Sequence, residues 1–256
     1  MPAVLAVVNQ KGGVGKTTTS VNLAAALGRA GKRVLLVDLD PQANATMGSG
    51  VDKRTVTRSI YHVLLGLGDI GVIRVRAEKG GYDLVPANRD LAGAEVELVE
   101  LQGRETRLKA ALERIEGDYD FILIDCPPSL SLLTVNALTA AQRVLIPMQC
   151  EYYALEGLSD LVGTIKRVRG NLNPQLEIAG LLRTMYDPRN TLSQQVSQQL
   201  EEHFGDKVYK TLVPRNVRLA EAPSYGVPAV LWDTASKGAQ AYLALADEIL
   251  SRGRAA

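Results

Sequence analysis

Five short stretches of the chain are apolar at nearly every position: Val4–Val8, Val34–Val37, Phe121–Ile124, Val144–Met148 and Ile178–Leu182. Unbroken runs rich in Val, Ile and Leu suit strands buried on both faces, as in parallel sheets. Between them, Thr17–Ala30, Leu130–Ala141, Leu155–Arg169 and Thr191–His203 place apolar residues three or four positions apart, the helical spacing. The Ala-rich piece Asn22–Arg29 adds helix propensity and small side chains for close packing on a sheet. This alternation predicts an α/β fold, a doubly wound, mostly parallel sheet with helices on both faces. Two segments interrupt it. Asn44–Arg58 reads as a polar loop leading into a short helix at Ile60–Leu65, and glycine-rich Gly66–Gly81 suggests a small β excursion with Asp83–Val85. Neither resembles a domain linker, so residues 1–256 are expected to form one domain with surface insertions.

Composition narrows the function classes. Hydrophobic residues make up 46% and charged residues 22%, which excludes a disordered or collagen-like chain. No apolar run reaches the ~18 residues of a membrane span, and the N-terminus lacks the basic region of a signal peptide, so a cytoplasmic protein is expected. A formal charge of +1 leaves no room for nucleic-acid binding by bulk positive charge. Cys126 and Cys150 read as free thiols, and His62 and His203 have no partners at zinc spacing.

The most informative residues are Lys11-Gly12-Gly13-Val14-Gly15-Lys16-Thr17-Thr18, between the first strand and the first helix. Glycines let the backbone turn so that successive N–H groups point at an anion, and a helix N-terminus adds positive potential. Lys16 is placed to reach β- and γ-phosphates, and Thr17 to coordinate Mg²⁺. The strict pattern G-x-x-x-x-G-K-[ST] is not met, because Gln10 stands where its first Gly belongs; the form here is the deviant K-G-G-x-G-K-[ST]. Two apolar strands end in carboxylates at the sheet edge where ligands bind in such folds, one at Asp38-Leu39-Asp40 and one at Asp125. Asp125 suits Mg²⁺ held through a water, since that ion gives up its hydration shell reluctantly.

With these motifs in place the chain resembles the ParA/Soj family of partitioning ATPases, a deviant Walker A group of P-loop NTPases. The resemblance runs through VNQKGGVGKTTTSVNLAAALG, VLLVDLDPQANAT, FILIDCPPSL and VYKTLVPRNVRLAEAPSYGVP, nearly the whole chain, and is to the short form without an N-terminal DNA-binding extension. It implies an ATP hydrolase with slow intrinsic turnover that forms a homodimer when ATP-bound. Lys11 would cross the interface to the partner's phosphates, Gly12 would lie where the subunits meet, and Asp40 would orient the attacking water while Asp38 supports the loop. Pro214 and Asn216 would hold adenine, with Met185 against the ring.

The resemblance also implies non-specific double-stranded DNA binding and stimulation by a ParB-type centromere-binding protein, with the ATPase nucleoid-associated. Lys207, Lys210, Arg215 and Arg218 fall in a stretch without an acidic residue, and Arg189 precedes a helix; Arg189 and Arg218 are the DNA-binding candidates. Lys166, Arg167 and Arg169 are explained by a helix C-terminus. Two alternatives share the nucleotide motifs. A MinD-like division-site regulator needs a basic amphipathic membrane anchor, whereas Ala239–Ser251 carries Asp247 and Glu248 opposite its apolar side and reads as a core-packing helix with no membrane role. A metabolic ATP-dependent ligase needs an additional substrate pocket.

Overall fold

A computed structural model describes residues 1–254, so the last two residues of the expected domain lie outside it. Eight strands form one sheet in the order β3-β4-β2-β5-β1-β6-β7-β8. They are β1 (Ala3–Val7), β2 (Val34–Asp38), β3 (Val75–Ala77), β4 (Tyr82–Val85), β5 (Phe121–Asp125), β6 (Arg143–Gln149), β7 (Glu177–Tyr186) and β8 (Val208–Pro214). All neighbours pair in parallel except β3 and β4. This is the doubly wound α/β fold that the apolar runs predict.

Alternation along each strand supplies two cores. Leu5 and Val7 of β1 join Leu36, Leu123 and Leu145 under the helices Lys16–Arg29 and Lys237–Arg254. Val4 and Ala6 join Val37, Ile122 and Ile146 under the helices Leu132–Ala140, Ala154–Asn171 and Thr191–Phe204. A central strand therefore has no polar face to show, and each fully buried Leu or Ile contributes about 1.5–3 kcal/mol relative to exposure. The final helix belongs to this packing: Tyr242, Leu245 and Ile249 are buried, and the Tyr242 hydroxyl bonds the Thr19 hydroxyl at 3.0 Å. Among the described residues, no helix is long and apolar enough to cross a membrane.

Two regions differ from the expected pattern. The Gly66–Val85 region is more than a surface excursion, because β4 pairs with β2 inside the main sheet and Tyr82 is fully buried, its hydroxyl bonded to that of Ser49 at 2.6 Å. The basic stretch near Lys210 contains an edge strand, β8, whose Lys210 and Thr211 N–H groups donate to the Glu248 carboxylate at 2.9 and 3.0 Å. Its alternating polar residues hid it from a search for apolar runs.

Candidate nucleotide site

The parallel register brings the motif residues to one edge. Asp125, last in β5, is paired with Val7 of β1 on one side and Asp38 of β2 on the other. The loop after β1 and both carboxylate-bearing strand ends therefore share the C-terminal side of three adjacent strands, the ligand edge of open α/β sheets.

The loop closes on a helix whose start needs glycine. Gly15 precedes the helix with φ +86°, and Gly13 has φ +74°, conformations costly for any residue with a Cβ. No side chain caps this helix and no acidic residue occupies its first turn, so its leading N–H groups keep their capacity for an anion. Val14 is buried, and its carbonyl accepts the Thr184 hydroxyl at 2.8 Å, which ties the loop to β7. Lys16 is 7% exposed, and its Nζ donates to the Lys11 carbonyl at 3.0 Å. Burial holds its ammonium below the usual lysine range, opposed by the charges of Asp125, Cys126 and Asp40. Thr18 stands beside a cavity of about 270 Å³ that Thr17, Asn44, Met47, Pro223 and Val227 also line. The Nε2 of Gln10 is buried without a protein partner among the described residues.

Asp125 is fully buried and held at both oxygens: Thr17 donates to Oδ2 and Ser20 to Oδ1, each at 2.8 Å. Burial and the charge of Asp38 raise its pKa, with the two hydroxyls working against them. Asp38 is raised as well, chiefly by burial. Its Oδ2 accepts both the N–H and the hydroxyl of Thr46 at 2.7 Å, and its Oδ1 accepts the Asp40 N–H at 3.2 Å. Asp38 thus spends its carboxylate on the loop, whereas the Asp40 carboxylate accepts one N–H, from Gln42 at 2.9 Å.

An adjacent pair of hard oxygens on Thr17 and Asp125, an uncapped helix start and a buried lysine make a donor set that fits a magnesium–triphosphate. The residues that would hold it are Thr17, Asp125 and the loop from Gly12 to Thr18.

The Lys11 side chain points away from this donor set. The Lys11 side chain is about half exposed and forms an ion pair with Glu151, just beyond β6. A Cβ on Gly12 would meet nothing within 4 Å, so the chain itself does not require glycine there. Met185 ends up next to Thr184, with φ +48° and its sulfur receiving the Gln149 amide at 3.0 Å. Pro214 closes β8, and Asn216 caps the short helix Val217–Glu221 by accepting the Arg218 N–H at 3.0 Å.

Both basic candidates are engaged by acids. Arg189 is exposed and pairs with Asp187 at 2.9 Å. Arg218 pairs with Glu221 at 3.0 Å and Asp233 at 3.2 Å, with its guanidinium 5.6 Å from the centroid of the Trp232 ring. Trp232 in turn stacks on Tyr225 at 4.7 Å. Arg215 is exposed. Cys126 and Cys150 are free, as expected, and both are buried.

Sequence reasoning missed Ser20, Thr46, Thr184 and Glu151. Ser20 carried a signal, standing three residues after Thr17 on the same helix face; the other three reach the site only through the fold.

A scan against family models matches residues 2–178 to a family described as an AAA domain. The chain is 54% identical to the chromosome partitioning protein ParA of Caulobacter vibrioides over 98% of this chain and 95% of that one. It is also 54% identical to the sporulation initiation inhibitor protein Soj of Bacillus subtilis, over 99% of this chain and all of that one. Among solved structures, it superposes with a TM-score of 0.87 and 43% identity on a cobyrinic acid a,c-diamide synthase of Mycobacterium smegmatis with bound ADP and magnesium, covering 99% and 96% of the two chains. With the deviant phosphate loop set at the edge of a doubly wound sheet and relatives matched along nearly their entire lengths, the chain belongs to the ParA/Soj family of chromosome-partitioning ATPases.

Proposed function

We propose that this chain is an ATP-dependent DNA-partitioning ATPase in which ATP closes a homodimer that binds DNA without sequence preference. The observation that carries the reading is the division of labour between two lysines. Lys16 is buried in the loop, whereas the Lys11 side chain is half exposed and its ammonium pairs with Glu151 at the surface. A lysine held outside its own loop is available to a second subunit's phosphates.

In this reading Lys16 and the N–H groups from Gly12 to Thr18 bind the triphosphate, Thr17 and Asp125 (through a water) hold Mg²⁺, and Asp40 orients the attacking water. Bound there, Mg²⁺ supplies positive charge that offsets charge on the phosphate oxygens. Lys11, delivered in trans, stabilises the charge that develops on those oxygens. Pro214 and Asn216 flank adenine with Met185 against the ring; the Asn216 cap uses Oδ1 and leaves its amide N–H groups for the base edge. Residues 1–256 act as one ATPase domain, cytoplasmic and nucleoid-associated. Turnover is slow until a ParB-type partner accelerates it, and hydrolysis then separates the subunits and releases DNA.

Arg189 and Arg218 provide the DNA contacts. Their ion pairs are solvent-exposed, and such pairs are worth about 0–1 kcal/mol, so backbone phosphates can displace the carboxylates. The MinD-like alternative is disfavoured because the last helix spends Tyr242, Leu245 and Ile249 on the core. For the ligase alternative, the groove of about 1160 Å³ opens among Ala3, Phe121, Arg143 and Glu177, at the strand starts, opposite the nucleotide edge.

The test is binding to an arbitrary duplex at low and moderate salt with ADP, ATP or no nucleotide. Binding that requires ATP and weakens steeply with salt is the expected result. Absence of binding with every nucleotide would overturn the reading.

A further inference from the structure

We propose that Thr46 is a positioning residue for ATP hydrolysis, acting through Asp38 on the placement of Asp40. The inference rests on the assignment of Asp40 to the attacking water.

Thr46 lies in the short helix Asn44–Gly48, fully buried, eight positions after Asp38. Its hydroxyl is used twice. It donates to Asp38 Oδ2 at 2.7 Å and accepts the Ala87 N–H at 2.9 Å. A threonine hydroxyl has a single proton, so this double use fixes its rotamer. The Thr46 N–H adds a second bond to the same Asp38 oxygen at 2.7 Å. Two donors on Oδ2 fix the plane of the Asp38 carboxylate, which leaves Oδ1 facing the Asp40 N–H.

Ala87 follows β4, and β4 pairs with β2, the strand that ends in Asp38. Thr46 therefore closes a ring of contacts between two neighbouring strands and the loop after one of them. That ring sets where the Asp40 backbone sits. The Asp40 side chain is 8% exposed and accepts only the Gln42 N–H, on Oδ1; among the described residues no protein donor reaches Oδ2. A carboxylate with one oxygen left over, on a backbone that cannot drift, is what orienting a water requires. Thr46 itself makes no hydrogen bond to residues 11–18, so its removal is expected to act on the rate more than on nucleotide affinity.

Replacing Thr46 by Val keeps the shape and removes the hydroxyl. The Ala87 N–H is then orphaned and Asp38 keeps one of its two donors to Oδ2. The loop loosens, and a small misplacement of a water-orienting group costs up to about a hundredfold in rate.

The experiment measures steady-state hydrolysis at saturating MgATP, KM and melting temperature for the parent, Thr46→Ser, Thr46→Val, Asp40→Ala and the Thr46→Val/Asp40→Ala double variant. The expected result is a kcat lower by about tenfold to a hundredfold in Thr46→Val, with KM within about twofold of the parent. Thr46→Ser keeps most of the rate, and Thr46→Val costs nothing further once Asp40 is Ala, because the two act as a unit. A parent-like rate in Thr46→Val overturns the proposal. So does an equal loss in Thr46→Ser, a raised KM together with a lowered melting temperature, or losses that multiply in the double variant. Should Thr46→Val not fold, Asp38→Asn is read against the same criteria. A parent-like rate in Asp40→Ala instead defeats the assignment of Asp40, and is distinguishable because it does not depend on Thr46.

Discussion

The ammonium of Lys16 donates to the carbonyl of Lys11 at 3.0 Å, so two lysines five residues apart share one loop with one charge buried and the other half exposed. Substitutions should separate their effects. Lys16→Ala is expected to lose ATP binding by at least about a hundredfold, whereas Lys11→Ala keeps nucleotide affinity and loses ATP-dependent dimerisation. Isothermal titration with light scattering checks both; tight ATP binding by Lys16→Ala would remove its assigned role.

Gly12 has a different prediction because nothing in its own chain crowds it. Gly12→Val should fold with an unchanged melting temperature and remain monomeric with ATP. Chromatography with a non-hydrolysable analogue is the measurement, and a normal dimer would mean the subunits do not approach there.

For Asp40→Ala, we expect retained ATP affinity and hydrolysis reduced by at least about a hundredfold. The protein should then stay on DNA as an ATP-bound dimer. An unaltered phosphate-release rate would rule out its part in orienting water.

Arg218 must exchange Glu221 and Asp233 for DNA phosphates if it contacts them. Arg218→Ala should weaken duplex binding at all sequences and lower the slope of log K against log salt by about one per subunit, leaving ATP affinity intact. The sole tryptophan, Trp232, lies under the guanidinium and gives a fluorescence signal for the exchange. A loss of ATP affinity in the same variant would assign Arg218 to folding instead.

Glu248 gives a pH dependence independent of nucleotide. Burial raises its pKa, but N–H donors from Lys210 and Thr211, the Thr211 hydroxyl and Arg252 outweigh burial and bring it below the ordinary glutamate value. A carboxylate depressed in the folded state stabilises above its unfolded pKa and loses that contribution as pH falls through the folded one. Glu248→Gln should therefore cost about 1–3 kcal/mol at neutral pH, and the gap to the parent should shrink below pH ~4. Chemical denaturation at pH 7 and pH 3.5 checks the sign.

Legibility followed the range of the interactions. Strands β1, β2, β5 and β6 were readable because central strands need apolar residues on both faces. β7 runs to Tyr186 although its apolar run stops at Leu182, because Arg183 stays buried by pairing with Glu201 and bonding Ser197 and the Tyr209 carbonyl at 2.7 Å. No local pattern announces such a compensated charge. The phosphate loop was legible because its chemistry is contiguous, and Asp38, Asp40 and Asp125 because strand ends fix their edge. Glu151 and Thr46 act on residues that neither periodicity nor spacing connects to them.

The Asn44–Gly48 helix is followed by Gly50 at φ +84°, and a Cβ there would lie 2.7 Å from the Gly226 carbonyl; one on Gly226, at φ +61°, would lie 2.8 Å from Gly50 Cα. Main chain rests on main chain, with no side chain between to yield by changing rotamer. A Cβ added at either glycine must therefore displace the segment after the Asn44–Gly48 helix and the Tyr225–Gly226 turn relative to one another. Tyr225 is stacked on Trp232, whose ring centroid lies 5.6 Å from the Arg218 guanidinium, so this joint stands two side-chain contacts from the arginine proposed to meet DNA.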